Sequence, residues 1–160
     1  MRNVMLLVVG ILIGASLATI GAQSPRNLVG VNHIGMGVPN VDEALAYYTQ
    51  KVGFREAFRN VNAQGVVTNI YLQINRDTYL ELEPITAANT RGLNHFGLEF
   101  ENLDAQVATY RQRGLMIRDP NTTGWTGMKL SNVIDPWGIR IDLAEVIPAS
   151  LAGKARAGWK

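Results

Sequence analysis

Residues 31–38 read VNHIGMGV and residues 93–100 read LNHFGLEF, and these two stretches decide the fold. They hold the only two histidines of the chain, His33 and His95, at matching places. Each stretch alternates apolar residues with small or polar ones, which predicts a half-buried β-strand. In both strands the histidine shares its face with a glycine. Glycine inside a strand often marks the close approach of a ligand or of another backbone.

The similarity between the two stretches continues well beyond the histidines. Residues 31–53, VNHIGMGVPNVDEALAYYTQKVG, align with residues 93–114, LNHFGLEFENLDAQVATYRQRG. The histidines are 62 positions apart, and an Asn, an Asp and a Tyr that follow keep this spacing. The closing glycines are 61 apart, so the second copy has lost one residue. The chain therefore contains two copies of one structural unit.

Each unit is predicted to be a strand, a helix and three further strands. The helices begin after Asn40 and Asn102, which are good N-caps, and end at Gly53 and Gly114. The buried stripe of the first helix is predicted to be Val41, Leu45, Tyr48 and Val52. The later strands are predicted at 54–61, 66–74 and 78–84, and at 115–119, 127–134 and 139–146.

The predicted fold class is therefore α+β, with two βαβββ modules in one chain. The first module covers residues 29–84 and the second covers residues 92–146. Residues 85–91 form the linker between them. Residues 147–160 form a C-terminal tail with a basic bias, and a solvated, frayed end is the expected conformation of this tail.

The first 22 residues differ in kind from the rest of the chain. Arg2 is followed by nineteen uncharged residues, 4–22, which end in small residues. This pattern is typical of an export signal peptide, with cleavage after Ala22. An uncleaved membrane anchor is the alternative, because nineteen uncharged residues can just span a bilayer. In both cases we expect the body to be exported, either periplasmic or secreted.

Composition narrows the function. The 160 residues carry 15 Lys+Arg against 13 Asp+Glu, and no basic cluster stands out within the body, so nucleic-acid binding has little support. The absence of cysteine excludes disulfides, thiolate metal sites and a cysteine nucleophile. Residues 23–160 are enough to build a core without these supports.

Each module also places a carboxylate on its last strand. Glu81 lies in YLELEP and Asp142 in RIDLAE, at matching positions and each followed by Leu. A single strand histidine or glutamate is usually structural, but four residues matched in two copies favour one divalent-metal site. Zn, Ni, Mn, Fe and Co all suit such ligands. Glu83 could be an alternate ligand or a base, but a solvated strand end is expected. Arg140 could pair with an anionic substrate, but a surface salt bridge is expected.

At this point the sequence resembles the vicinal-oxygen-chelate superfamily of glyoxalases, bleomycin-resistance proteins and extradiol dioxygenases. The resemblance covers about 29–146 and rests on NHIGMGVPNVDEALAYY, YLELEP, LNHFGLEFENLDA and DPWGIRIDLAE. It implies a cupped mixed sheet around one metal, with His33, Glu81, His95 and Asp142 as ligands. This ligand pattern is closest to glyoxalase I and methylmalonyl-CoA epimerase. Asp142 departs from the usual Glu and is one methylene shorter, so its role as a ligand is open.

The resemblance implies a metal-dependent, glyoxalase-I-like lyase or isomerase. It would move a proton through a metal-chelated enediolate or enolate of a small substrate with adjacent oxygens. Glu81 is the first candidate for the proton-moving carboxylate and Asp142 the second. The alternatives are an extradiol-type, ring-cleaving dioxygenase that uses iron and a non-catalytic small-molecule binding protein. A homodimer is expected, because relatives of this size commonly pair and an open sheet has edges to cover.

Overall fold

The computed structural model describes residues 27–87 and 89–160. The predicted export segment, residues 1–22, lies outside these residues. Within the described part of the chain, no helix is long and apolar enough to cross a bilayer.

The described residues form two successive βαβββ modules and a C-terminal helix. The first module contains β1 (Leu28–Val38), α1 (Val41–Ala46) continued by a π-helical segment (Tyr47–Val52), β2 (Arg55–Val61), β3 (Val67–Gln73) and β4 (Tyr79–Pro84). The second contains β5 (Gly92–Phe100), α2 (Leu103–Gln112), β6 (Asn121–Thr122), β7 (Lys129–Ile134) and β8 (Arg140–Glu145). Helix α3 (Leu151–Ala157) follows.

All eight strands belong to one mixed sheet, in the order β2-β3-β4-β1-β5-β8-β7-β6. Within each module the first and last strands are parallel neighbours, β1 with β4 and β5 with β8. The two modules join at an antiparallel seam between β1 and β5. The two histidine strands therefore lie side by side at the centre of a cupped sheet, and the predicted α+β class is confirmed.

The helix boundaries follow the predicted caps. The side chain of Asn40 accepts hydrogen bonds from the backbone amides of Asp42 and Glu43, and Asn102 accepts from the amide of Ala105. Gly53 and Gly114 have φ angles of 90° and 84°, a left-handed conformation that glycine adopts without strain.

One position of the predicted helix stripe was wrong. Val41, Leu45 and Tyr48 pack against the core between helix and sheet, whereas Val52 is 44% exposed. The helix changes from α to π at Tyr47, and the wider π turn moves later residues off the α-helical stripe.

The predicted strand at 115–119 was also wrong, because the second module has only the two-residue β6 in its place. Side chains donate hydrogen bonds to the backbone carbonyls that would otherwise have paired with a neighbouring strand. Arg111 donates to the carbonyl of Ile117, and Ser131 donates to the carbonyl of Arg118. Pro120 follows and has no N–H to give to a ladder.

The C-terminal tail is folded, contrary to the frayed end expected from the sequence. Ser150 caps α3 by accepting from the amide of Gly153, and Ala152 is almost completely buried. The helix packs in the cup of the sheet against Phe58, Tyr79 and Met128. The basic residue Arg156 is paired with the buried carboxylate of Glu99, so this charge fixes the helix to the sheet and does not face water as the sequence had suggested.

Candidate metal centre

Two β-bulges at the central seam aim the histidines. Opposite the step from Val31 to His33 on β1, β5 advances by a single residue, so Asn32 is extra. The same happens on β5, where Asn94 is the extra residue before His95. A bulge re-aims the side chains beside it. Here it places each asparagine next to the histidine that follows it.

Each imidazole lies over a glycine of the neighbouring strand. His33 is paired with Gly97 and His95 with Gly35 across the seam. A β-carbon built on either glycine would overlap the opposing imidazole ring. The two rings consequently approach to 5.3 Å between centroids in an edge-to-face arrangement. The close approach predicted from glycine in these strands is thus the approach of a histidine ring.

The neighbouring asparagines fix the tautomer of each histidine. Asn32 Nδ2 donates to Glu99 Oε2 at 2.9 Å, which turns Asn32 Oδ1 toward His33 Nδ1, also at 2.9 Å. Asn94 Nδ2 donates to the carbonyl of Thr90 at 3.3 Å, and its Oδ1 is 2.5 Å from His95 Nδ1. An amide oxygen can only accept, so both Nδ1 atoms carry the proton.

When the imidazoles are neutral, both Nε2 atoms therefore present a lone pair to the centre of the cup, and that of His95 accepts from Arg140 Nη2. His33 Nε2 is fully buried and has no hydrogen-bond partner among the described residues. Metal-binding histidines are oriented in this way: one ring nitrogen, here Nδ1, donates a hydrogen bond, and the lone pair of the other nitrogen points to the ion.

The two carboxylates predicted from the sequence converge on the same point. Glu81 Oε2 lies 3.5 Å from His33 Nε2 and 3.1 Å from His95 Nε2. Asp142 Oδ2 lies 3.6 and 3.7 Å from the same two nitrogens. Ligands held about 2.0–2.2 Å from one ion are separated by roughly these distances. One chain therefore brings all four predicted residues together.

The four residues are not equivalent. His33, Glu81 and His95 form a buried group whose ligand atoms all lie within 4.8 Å of one another. Asp142 is close to both histidines but stands outside this group, and its side chain is 18% exposed against 5% for Glu81. The geometry therefore places three candidate ligands in the floor of the site and Asp142 at its opening.

Glu81 is held as an anion. Its Oε1 accepts from Asn69 Nδ2 at 2.8 Å, and the nearby hydroxyl of Tyr71 favours its charged form. Burial alone raises the pKa of Glu81, but the hydrogen bond from His95 and the positive charge of both imidazoles, which act when the rings carry a second proton on Nε2, outweigh burial together with the Tyr71 hydroxyl. Together they lower its pKa to about 2.

Glu83 is buried, which corrects its predicted place at a solvated strand end. Strand β4 lies between β3 and β1, so its end is covered on both sides. Glu83 is 5% exposed, and its Oε2 lies 4.0 Å from His95 Nδ1 without a hydrogen-bond partner among the described residues. Burial, and then the negative charge of Glu81, raise the pKa of Glu83.

Arg140 lies at the opening of the site, and it contacts a histidine there in addition to forming a salt bridge. Its Nη2 donates to His95 Nε2 at 2.8 Å, and its Nε lies 3.1 Å from Asp142 Oδ1. A cavity of about 340 Å³ lies beside this opening and is lined by Arg140, His95 and Asn94 among others.

Sequence reasoning missed the residues that support the four. The Asn-His pair occurs in both copies, and this repetition was a signal that could have identified Asn32 and Asn94. Asn69 and Tyr71 had no such signal, because Asn132 occupies the matching position of Tyr71 in the second module.

Comparisons with known proteins agree with this architecture. A structure of a Streptomyces coelicolor methylmalonyl-CoA epimerase variant is 22% identical, with a TM-score of 0.63, over 77% of this chain and 98% of that chain. The Mycobacterium tuberculosis methylmalonyl-CoA epimerase is 18% identical, with a TM-score of 0.65, over 79% and 95%. A Bacillus halodurans hypothetical protein is 16% identical, with a TM-score of 0.58, over 73% and 94%.

A comparison with curated protein sequences gave no significant match. The family model described as Glyoxalase/Bleomycin resistance protein/Dioxygenase superfamily matches residues 30–143, which include both modules almost completely. The paired βαβββ modules and the seam that joins them are the architecture expected of that family. This chain therefore belongs to the Glyoxalase/Bleomycin resistance protein/Dioxygenase superfamily.

Proposed function

We propose that this protein is a metal-dependent isomerase or lyase that moves a proton at a carbon next to a carbonyl group. The observation that carries the proposal is the convergence of two buried imidazoles, each with its Nε2 lone pair free of a proton, on two carboxylates. Isomerisation is also the chemistry of the methylmalonyl-CoA epimerases that share the fold.

The residues present fit a divalent ion. His33, Glu81 and His95 would hold it, since their ligand atoms are close enough to share one ion. In both histidines the proton is on Nδ1, which leaves Nε2 to bind the ion. Zn, Ni, Mn, Fe and Co remain the candidates. Such an ion supplies Lewis-acid polarisation of a substrate oxygen.

Asp142 is the better candidate for the proton carrier, which reverses the order expected from the sequence. A general base works best when its pKa is near the working pH, and the low pKa of Glu81 suits a ligand rather than a base. Asp142 lies at the opening, and Arg140 contacts one of its oxygens. Its other oxygen faces the histidines, where a substrate would bind.

The substrate is a small molecule with two adjacent oxygens, one of them negatively charged. With His95 Nε2 engaged by an ion, Arg140 would lose the acceptor of its hydrogen bond. The Arg140 guanidinium then offers its donors toward the opening of the site. Planar guanidinium donors match a carboxylate well, so Arg140 would bind the anionic oxygen of the substrate.

A non-catalytic binding protein is the second candidate, and Arg140 is also the observation that favours it. In the structure this guanidinium already occupies the lone pair of His95. A dioxygenase has less support. In the relatives that use two histidines and one carboxylate, the carboxylate is the one at the Asp142 position, whereas here Glu81 completes the tight group.

Deuterium exchange tests the proposed activity. The metal-loaded protein is incubated in D₂O with 2-oxo acids and with acyl thioesters that carry a neighbouring carboxylate, with neutral 2-hydroxy ketones as the comparison, and exchange at the carbon next to the carbonyl is followed by proton NMR. We expect metal-dependent exchange that falls about 10²–10⁴-fold in Asp142→Asn. Binding without exchange would support the binding protein, and iron-dependent oxygen uptake with catechol would support the dioxygenase.

Export and pairing are also part of the proposal. The N-terminal pattern of residues 1–22 supports export of the body. The open sheet, with β2 and β6 at its edges, supports a homodimer. Light scattering coupled to size exclusion tests the dimer, and a monomer mass that does not change with concentration would contradict it.

A further inference from the structure

Helix α3 lies outside the family match, which ends at residue 143, yet it is connected to the candidate metal site. It carries Arg156, whose side chain is largely buried between the helix and the sheet. Arg156 donates two hydrogen bonds to Glu99 of β5, from Nη1 to Oε1 at 2.7 Å and from Nη2 to Oε2. It also contacts Asp77 through the backbone carbonyl and the carboxylate.

From Arg156 a continuous set of hydrogen bonds runs to His33. Glu99 accepts from Asn32 Nδ2 at 2.9 Å, and Asn32 Oδ1 accepts from His33 Nδ1 at 2.9 Å. All the residues between the arginine and the imidazole are buried, Glu99 at 6% exposure and Asn32 at 0%. Glu99 accepts from Arg156 on one side and from Asn32 on the other, and His33 donates to Asn32 in turn, so the position of Glu99 dictates the orientation of the Asn32 amide and the tautomer of His33.

The other histidine is held differently. Asn94, which fixes the tautomer of His95, is oriented by the backbone carbonyl of Thr90 in the linker and not by a charged side chain. Removing Arg156 would therefore affect one histidine and leave the other as an internal control.

We propose that Arg156 is a positioning residue for His33 and that the C-terminal helix is a working part of the site. The guanidinium compensates the buried charge of Glu99. A buried carboxylate without its partner is strongly unfavourable, so its loss would draw Glu99 toward water and release the Asn32 amide. His33 would then lose its preference for the tautomer with a free Nε2. Only the consequence for metal binding rests on the proposed function.

The test compares Arg156→Met, Arg156→Lys and Arg55→Met in the full-length protein without a histidine tag. Arg55 is the matched control, because it also ties the sheet to α3, through the carbonyls of Ala155 and Gly158, and has no contact with Glu99 among its hydrogen bonds. Nitrogen-15 spectra of the imidazoles, recorded on metal-free protein at about pH 8, report the tautomers. Zinc affinity is measured by competition with a chromophoric chelator, and thermal unfolding reports folding.

We expect Arg156→Met to mix the tautomers of His33 only and to weaken zinc binding about 10- to 100-fold. Arg156→Lys should keep part of the wild-type tautomer preference and zinc affinity. Arg55→Met should change neither the tautomers nor the zinc affinity, at a similar loss of thermal stability. Wild-type spectra of His33 in folded Arg156→Met protein would overturn the proposal, as would an equal change in Arg55→Met. A wild type that binds none of Zn, Ni, Mn, Fe and Co would refute the proposed function, while the tautomer spectra would still decide this inference.

Discussion

At the scale of single residues, the centre of the site depends on what the strands leave out. Gly35 and Gly97 have no side chain, and each vacated space holds the imidazole of the opposite strand. The bulged residues Asn32 and Asn94 then fix the ring orientation. The histidines were visible in the sequence, but the orientation of their nitrogens required the seam to be known.

Gly35→Ala tests this arrangement directly. The new methyl group would overlap the His95 ring, so we expect a loss of stability of about 1–3 kcal/mol and a large loss of metal affinity. Gly30→Ala is the matched control, because the same strand leaves open space around that position. Thermal unfolding and chelator competition measure both effects. Equal behaviour of the two variants would show that the glycine is not needed.

Glu81 and Glu83 are expected to influence stability in opposite ways as pH changes. The folded pKa of Glu81 is lowered from 4.5 to about 2, so its stabilising contribution is complete above pH 4.5 and is lost as pH falls toward 2. The folded pKa of Glu83 is raised above 4.5, so its carboxyl favours the folded state most at low pH and loses that contribution as pH rises.

In metal-free protein, therefore, Glu81→Gln should lower the melting temperature at pH 7 more than at pH 3. Glu83→Gln should have the opposite trend and stabilise the protein more at pH 7 than at pH 3. Melting temperatures of the wild type and both variants across this range provide the measurement. Parallel curves for the two variants would contradict the account.

At the scale of elements, hydrophobic alternation and the duplication were sufficient to predict most strands and both capped helices. Two features escaped because they depend on tertiary contacts. Residues 115–119 do not form a strand, because Arg111 and Ser131 donate to their backbone carbonyls. Glu83 is buried because β4 lies between β3 and β1 in the sheet. The four converging residues were predictable because they repeat, whereas Tyr71 and Asn69 do not.

Helix α3 was the largest element missed, and Ala152→Asp tests its role. Ala152 is 1% exposed and packs against the aromatic residues of the cup. A charge placed there would have no partner, so we expect a loss of about 3 kcal/mol or more of unfolding free energy. Lys154→Ala, on the exposed side of the same helix, should be nearly neutral. Equal unfolding free energies for the two variants would instead support the frayed tail expected from the sequence.

At the scale of the whole molecule, one chain is sufficient to assemble the candidate site. The seam between β1 and β5 supplies both histidines, and the strands that flank it supply both carboxylates. A homodimer is therefore not needed to complete the set of four. The partner, if present, would cover sheet edges or contribute to substrate binding.

The location of the molecule rests on residues 1–22. Because an export signal is removed on translocation, we expect the native protein to begin near Gln23. Intact-mass spectrometry of the protein from its own cells gives the answer. A soluble cytoplasmic protein that still begins with Met1 would contradict export, and an intact chain in the membrane fraction would support the anchor.

Metal stoichiometry tests the central claim most directly. The untagged protein is purified without chelator, offered Zn, Ni, Mn, Fe and Co separately, and assayed by elemental analysis beside His33→Ala and His95→Ala. We predict about one ion per wild-type chain for at least one metal, and almost none for either folded variant, because each variant removes one of the three closest ligands. A wild type that takes up no stoichiometric metal, or variants that bind as much as the wild type, would contradict the account.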